Sequence, residues 1–399
     1  ARLGEDGERR WAEVAVRLLR ASFPNESWEV ATWPTCERLL PHVLAATGHA
    51  ERLGVAGEQA GWLLDRVSTY LRERGQYRQA RPIAERALAA TEAALGPAHS
   101  EVAWRCDTLG NVFRELGDLG DARAEFERAV AIGESALGPD DPAVAVWRND
   151  LGSVLRELGD LVGARAQFER ALAVSEVARG LDHPEVGVRR GNLGLVLWDL
   201  GDLEGAHVQL VRALAISEAA LGPDHPEVAT WRNNLGLVLW DLRDLADARV
   251  QFEQALAIGE ASLGPDHPNL AIWRNNLGGV LRDLGDLEGA QAQYERALAI
   301  GESALGPDHP NIAIWRNNLG FVLRELGDLK GARAQYERSA TSMAQSSSTS
   351  GPWPSAKRPS APTTPAWPLS AAVLAECSKP SRKRLPRDRP RPSSLICAP

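Results

Sequence analysis

The chain has 399 residues, of which 44% are hydrophobic and 25% charged, and its formal net charge is −8. This composition can supply a large buried core, and no apolar run approaches the roughly 18 residues that a transmembrane helix needs. Residues 339–399 are basic, with 9 Lys and Arg against 2 Asp and Glu, so the rest of the chain is strongly acidic and argues against a nucleic acid partner. No secretory signal is visible, and four widely spaced cysteines cannot form a disulfide framework, which predicts a cytoplasmic protein.

Residues 1–52 are predicted to form a helical junction whose sequence pattern differs from that of residues 53–338. Residues 10–20 indicate an amphipathic helix, and a second helix is expected near residues 36–50. Between them lie Phe23, Trp28 and Trp33 in a proline-containing stretch.

Residues 53–338 repeat one pattern about seven times, with the last copy truncated. A Leu-Gly pair recurs in steps of 42 residues or twice that, and its leucines are Leu53, Leu95, Leu137, Leu221, Leu263 and Leu305. A fixed period near 40 residues is typical of stacked supersecondary units that cannot bury their apolar faces alone. The repeat therefore predicts an extended surface and not an enclosed active site.

Each copy is predicted to contain two helices. In the copy that includes Glu227–Leu242, a proline suits the first helical turn, and Asp224 is expected to cap it. A Gly-Asp pair then ends the helix, because glycine accepts a left-handed backbone and aspartate can cap the next helix. The same copy has Arg243 where glycine is expected, at a cost of up to about 1 kcal/mol.

The second segment of the copy carries Ala248, Phe252 and Ala255 on one face, so that two helices can approach closely around an aromatic ring. With the Leu235-Gly236 pair and the 42-residue length, this pattern resembles the tetratricopeptide repeat in its kinesin-light-chain form. The resemblance implies an all-α, right-handed superhelical solenoid of helix-turn-helix repeats. It also implies a non-catalytic scaffold that binds a peptide or protein on its concave face.

One feature departs from that family pattern. An arginine recurs where the family usually has a large apolar residue: Arg148, Arg190, Arg232, Arg274 and Arg316. An adjacent tryptophan, such as Trp231, is expected to supply the missing bulk, with the arginine stem lying over it.

By the same resemblance, the partner-binding face contains a row of asparagines and a row in which arginine and tryptophan alternate. The predicted residues are Asn149, Asn192, Asn233, Asn234, Asn275, Asn276, Asn317, Asn318, Arg156, Trp198, Trp240, Arg282 and Arg324. Amides can read a peptide backbone, and aromatic and arginine side chains dominate interface energetics. Two alternatives stay open: the asparagines bond to neighbouring repeats, and the tryptophans pack on adjacent helices.

Other chemistry finds little support in the sequence. His183, His225, His267 and His309 recur once per repeat, which spreads them along the stack, whereas zinc needs ligands that converge. Their place before proline favours helix capping instead. No phosphate-binding, hydrolase or zinc-protease motif is present, so the sequence predicts no catalytic residue, no metal and no cofactor.

Residues 339–399 are predicted to be a disordered tail produced by a shift of reading frame. A shifted reading of residues 358–365 permits the wording ALGPDHP, which begins a repeat elsewhere in the chain. The alternative is a genuine Ser- and Pro-rich basic arm.

The wording of residues 9–54 resembles the junction that precedes the repeats in actinobacterial signalling ATPases of the STAND class. The resemblance implies that an ATPase domain lies upstream and that the repeats serve as its sensor. A free-standing adaptor and the regulatory arm of a DNA-binding activator are the alternatives.

Overall fold

The computed structural model describes residues 4–307 and 309–349, and within these ranges it contains helices and no strand. Within each of its two compact units, consecutive helices pack against each other, and the predicted all-α solenoid of helix-turn-helix repeats is confirmed. A 3-10 turn, Val30–Thr32, separates the first two helices. The helices are α1 (Glu5–Ser22), α2 (Trp33–Leu53), α3 (Gly57–Glu73), α4 (Tyr77–Leu95), α5 (Ser100–Leu116), α6 (Leu119–Ala136), α7 (Pro142–Glu157), α8 (Leu161–Arg179), α9 (Pro184–Asp199), α10 (Leu203–Leu221), α11 (Pro226–Asp241), α12 (Leu245–Leu263), α13 (Pro268–Leu284), α14 (Leu287–Leu305), α15 (Pro310–Glu325) and α16 (Leu329–Thr349).

The chain divides into two compact units at Leu181 and Asp182. The first unit holds α1 and α2, which pack on each other and on α3, together with the pairs α3–α4, α5–α6 and α7–α8. The second unit holds the pairs from α9–α10 to α15–α16. None of the helices in the described ranges has the length and apolar character needed to cross a bilayer.

Histidines cap the first helix of most repeats. His225 Nδ1 accepts a hydrogen bond from the backbone N–H of Glu227 at 3.2 Å, and this satisfies one of the free amides at the helix start. The same bond forms at His99, His183, His267 and His309. Of the two residues expected to cap this helix, the cap is therefore His225 and not Asp224.

The Gly-Asp pairs behave as predicted except at Asp118, whose side chain makes no capping hydrogen bond. Gly201 has a φ of +85°, and Asp202 Oδ1 accepts from the backbone N–H of Gly205 at 3.0 Å. Arg243 occupies the matching position with a φ of +68°, a region that side chains with a Cβ rarely enter. The expected strain at this arginine is thus present in the backbone.

The core of each pair forms where a glycine of the first helix meets a ring of the second. A Cβ at Gly236 would lie 2.8 Å from the Phe252 ring, so only glycine allows α11 and α12 to come this close. Phe252, Ala248 and Ala255 are fully buried, which confirms the predicted arrangement of small and large side chains around one aromatic ring.

The recurrent arginines connect three helices. Arg316 reaches back to Glu302 of the preceding repeat at 2.8 Å, and Arg232 pairs in the same way with Glu218. Arg232 also donates to Gln251 of its own repeat at 2.9 Å. These polar contacts, together with the fully buried tryptophan beside most of the arginines, fill the position that is usually apolar in this kind of repeat.

Helix α16 continues to Thr349, so residues 339–349 of the predicted tail are helical. Ser339 is buried, and its hydroxyl donates to the carbonyl of Ala313 at 3.0 Å. The rest of the predicted tail, together with the proposed shift of reading frame, falls outside the described residues.

Candidate functional site

The paired asparagines of the predicted binding face form a hydrogen-bonded ladder between successive repeats. Asn276 Nδ2 donates to Asn233 Oδ1 at 3.0 Å, and Asn318 Nδ2 donates to Asn275 Oδ1 at 2.9 Å. Asn233 and Asn234 are fully buried and Asn276 is nearly so, which leaves no amide surface for a partner. The structure therefore places Asn233, Asn275, Asn276 and Asn318 in the contacts between repeats, as in the alternative considered from the sequence.

The remaining asparagines of the row are half-buried. Asn149 Nδ2 donates to Asp150 Oδ1 at 3.2 Å, and Asn192 and Asn317 share its partial exposure. A binding role for these residues stays a prediction.

The ladder is interrupted between α9 and α11. Gly191 stands where other repeats have the first asparagine, and the ring of Trp231 fills the space, so that a Cβ on Gly191 would lie 2.8 Å from Trp231 Cζ2. Asn234 Nδ2 consequently has no acceptor among the described residues, although it is buried. An unpaired buried donor costs roughly 1–3 kcal/mol, so this step of the ladder is weak.

Two carboxyl groups occupy another step of the ladder, between α5 and α7. Asp107 stands at the first position and Asp150 at the second, where other steps have two asparagines. Burial, together with the hydrogen-bonded Asp150 carboxyl beside it, raises the pKa of Asp107 well above its ordinary value, while Arg72 opposes the shift. Protonated Asp107 can donate across the step as an amide does.

The two tryptophans of the predicted binding face also join successive repeats. Trp198 Nε1 donates to Asp241 Oδ2 at 2.8 Å, and Trp240 Nε1 donates to Asp283 Oδ2 at 2.9 Å. The Trp240 ring lies over Gly279, where a Cβ would be 2.8 Å from Cζ2. Each tryptophan is only 9% exposed, so packing on the adjacent helix, the second alternative, describes both.

Arg282 and Arg324 of the predicted binding face flank an exposed aromatic ring, Phe321, at the end of the second unit. Phe321 on α15 is 38% exposed and lies between Arg282, 5.5 Å from the ring centroid, and Arg324, 4.8 Å away. Arg282 and Arg324 are half-buried and pair with the acid that comes after each in sequence, Asp283 and Glu325. The three residues Arg282, Phe321 and Arg324 form the Phe321 patch.

Phe321 is exposed because the side chain that covers it from the preceding repeat is an arginine. Trp240 covers the matching position of the next repeat, which is Gly279, with a broad indole ring. One repeat later the covering residue is Arg282, which is narrower and leaves part of the phenyl ring open. Arg156, the other predicted arginine, lies half-buried in the first unit.

The recurrent histidines use Nδ1 as a capping acceptor, as the capping alternative predicts. The described residues include no group of three or more His, Cys, Asp or Glu side chains arranged to hold a metal ion.

Sequence reasoning missed a cavity that lies in the first unit. A cavity of about 730 Å³ opens where α1, α3, α4 and α5 meet, with Trp28, Trp62 and Trp104 among its lining residues. A signal was present in the sequence, because Trp62 and Trp104 are 42 residues apart and so share one repeat position. Later copies have Val146, Val188, Thr230, Ile272 and Ile314 there.

Solved structures with similar repeats support the fold. The chain resembles BtubC (BKLC) from P. vanneervenii, with 25% sequence identity over 62% of this chain and 98% of that one, at a TM-score of 0.51. It also resembles the apo form of RapI, with 15% identity over 72% and 99% of the two chains and a TM-score of 0.56, a likeness of fold alone. A putative kinesin light chain with nearly identical TPR-like repeats from Podosopora anserina is 20% identical over 51% of this chain and 97% of that one, at a TM-score of 0.46, too distant to support an argument.

A search of curated protein sequences finds no significant match. The tetratricopeptide repeat pattern matches six overlapping stretches, residues 58–135, 102–176, 143–219, 190–261, 227–303 and 270–345. Because these stretches span well over half of the chain, the protein belongs to the tetratricopeptide repeat family, whose repeats form scaffolds for protein–protein interaction.

Proposed function

We propose that the protein is a non-catalytic cytoplasmic scaffold that binds a peptide or protein partner through the Phe321 patch. The observation that carries the proposal is an exposed aromatic ring held between two guanidinium groups. Aromatic and arginine side chains supply most of the binding energy at protein interfaces, and a partly covered ring gains further burial when a partner docks.

Arg324 can take part in recognition without moving far. It bonds to the adjacent carboxylate of Glu325 at 3.2 Å, and this partly exposed ion pair contributes little to stability. A partner can therefore exchange its own acceptor group for Glu325 at low cost, whereas Arg282 stays paired with Asp283, whose side chain is only 4% exposed. The half-buried Asn317 lies on the same helix as Phe321 and can offer a further hydrogen bond.

Peptides selected for binding to the intact chain from a random displayed library test this assignment. Phe321→Ala is expected to weaken the selected peptides by about tenfold or more, because the variant removes the apolar centre of the patch. Val250→Ala is the matched control, since it shortens an exposed apolar side chain on the second helix of a repeat. Helicity measured by circular dichroism should be the same for both variants.

Equal binding to wild type and Phe321→Ala would reject the Phe321 patch as the binding site. Asn234→Ala and Trp240→Ala are poor tests, because both side chains are buried and their removal changes the packing between repeats.

We also propose that the repeats form the sensor region of a STAND-class signalling ATPase. Support comes from the wording of residues 9–54 and from the two helices α1 and α2 that they form on the first repeat. The gene sequence upstream of Ala1 provides the test: a phosphate-binding loop is expected there. A start codon or a DNA-binding domain in its place would contradict the proposal.

A further inference from the structure

The tryptophan-lined cavity of the first unit has the size of a small-molecule site. Its volume of about 730 Å³ falls within the roughly 300–1,000 Å³ of ligand sites in proteins. It lies where the C-terminal end of α1, the loop after it, α3, the end of α4 and the start of α5 come together, and all its lining residues belong to residues 20–105.

Indole rings form the apolar walls of this cavity. Trp28 is 47% exposed and Trp104 is 36% exposed, although large aromatic side chains usually gain stability by full burial. Trp104 is held in place by an edge-on contact with Trp147, with 5.1 Å between ring centroids. Trp104 is thus fixed in position, and both rings are still open to a ligand.

A buried aspartate holds two of the three lining arginines. Asp65 is fully buried and pairs with Arg66 at 2.6 Å and with Arg105 at 3.2 Å. Arg105 also pairs with Glu101 at 2.9 Å, and Arg66 donates to the carbonyl of Asn25 at 3.3 Å, which ties the loop to α3. Each of these charged groups has an oppositely charged partner in the protein. They therefore form part of the cavity wall and need no charged ligand.

Arg20, the third arginine, has no such ion-pair partner among the described residues. Its guanidinium lies 3.8 Å from the centroid of the Trp62 ring and makes no hydrogen bond or ion pair with another described residue. His99 adds a second donor, because its Nδ1 accepts from the backbone and the neutral ring then carries its proton on Nε2. Glu58, the remaining lining acid, stands in the first turn of α3, where the helix dipole favours a negative charge.

We propose that this cavity binds a small planar aromatic anion. The ring of the ligand packs on the indoles of Trp28 and Trp104, and its anionic group meets Arg20. A cationic ligand is disfavoured, because the guanidinium group of Arg20, which no described acid pairs, already covers the face of Trp62. This site is independent of the Phe321 patch, which belongs to the second unit.

Calorimetric titration of the full chain with three probes of one shape tests the proposal. The probes are 2-naphthoate, the neutral 2-naphthalenemethanol and the cation 2-naphthylmethylammonium. Naphthoate is expected to bind most tightly, and Arg20→Gln is expected to weaken it by about tenfold while leaving the neutral alcohol unchanged. Trp28→Leu should weaken both the anion and the alcohol, because it removes a wall that both contact.

Trp11→Leu is the matched control, since Trp11 is 62% exposed on α1 and does not line the cavity. Naphthoate should also shift the indole N–H resonances of Trp28 and Trp104 and leave that of Trp11 in place. No measurable binding of naphthoate, tighter binding of the ammonium probe, or an unchanged affinity in folded Arg20→Gln would each overturn the proposal.

Discussion

At the scale of single residues, tryptophan and glycine positions in this chain depend on each other. The rings of Trp273 and Trp315 fill the space over Gly259 and Gly301 in the second helix of the preceding repeat. In the repeat before Trp231, Ser217 of α10 occupies the position of these glycines. The Trp231 ring lies instead over Gly191, and its Nε1 donates to a carboxylate oxygen of Glu227 at 3.2 Å. Serine in place of glycine thus coincides with a different position of the tryptophan ring, because close-packed helices have no spare volume.

Gly259→Ala is expected to lower the free energy of unfolding by about 1–3 kcal/mol, despite the better helix propensity of alanine. The added methyl group would lie 2.7 Å from Leu270 Cδ2 and even closer to the Trp273 ring. Urea denaturation measures the change. Gly120→Ala serves as the control, since a Cβ there meets nothing within 4 Å and should leave stability equal or slightly higher; a loss as large as at position 259 would contradict the packing argument.

Arg243→Gly is expected to stabilise the protein by up to about 1 kcal/mol, because it removes a side chain from a left-handed backbone position. Its ion pair with Asp283 is long, at 3.8 Å, and Arg243 is mostly exposed, so little is lost with the charge. The reverse change, Gly201→Arg at the matching position, should destabilise by a similar amount. Thermal melts that move in the same direction for both variants would contradict this account.

At the scale of helices, the ladder residues set how strongly one repeat holds the next. An amide pair at 3.0 Å joins α11 to α13, and another at 2.9 Å joins α13 to α15. Between α5 and α7 the pair is Asp107 and Asp150, which can hydrogen-bond to each other only while one carboxyl keeps its proton. Asn111 Nδ2 lies 3.4 Å from Asp107 Oδ2. Arg72 and Asp65 are further charged groups that act on the Asp107 carboxyl.

This acid pair predicts a stability that falls as pH rises. The folded form keeps the Asp107 proton, whereas an unfolded aspartate loses it near pH 4, so stability decreases from about pH 4 up through the raised pKa. Asp107→Asn is expected to raise the free energy of unfolding at pH 8 by roughly 1–3 kcal/mol and to matter little at pH 4.

Urea denaturation at several pH values measures this effect. Asp140→Asn, which removes an exposed carboxylate from a turn of the same unit, should not change the pH profile. A variant Asp107→Asn that retains the wild-type pH profile would show that the acid pair is not its source.

At the scale of the whole molecule, the contacts within each unit join helices that are neighbours in sequence or one helix apart. A disturbance in such a stack is expected to open the repeat where it occurs and the repeats beside it. Hydrogen exchange of Gly259→Ala should therefore rise in α12 and α13 and stay unchanged in α9. A uniform rise across the second unit would instead indicate that the unit unfolds as one cooperative body.

The sequence by itself determined the repeat architecture, because its signals are local. The 42-residue period, the Gly-Asp turns and the glycine facing Phe252 depend on backbone geometry within one hairpin, and each is present in the structure. Arg243 is an example at a single residue: its strained φ results from its place in the repeat. The helix starts were less well predicted, since the choice between Asp224 and His225 as the cap depends on which residue stands at the helix boundary.

Which residues remain available to a partner was decided by the tertiary structure alone. Asn233, Asn234, Trp198 and Trp240 look like surface residues in one repeat, yet their neighbours in the second unit bury them. Phe321 stays partly open because an arginine and not a tryptophan covers it from the previous repeat. Likewise, Trp28, Trp62 and Trp104 become one cavity only when α1 and α5 pack beside α3. Burial arises between segments about 42 residues or more apart, and no pattern within one copy of the repeat contains that information.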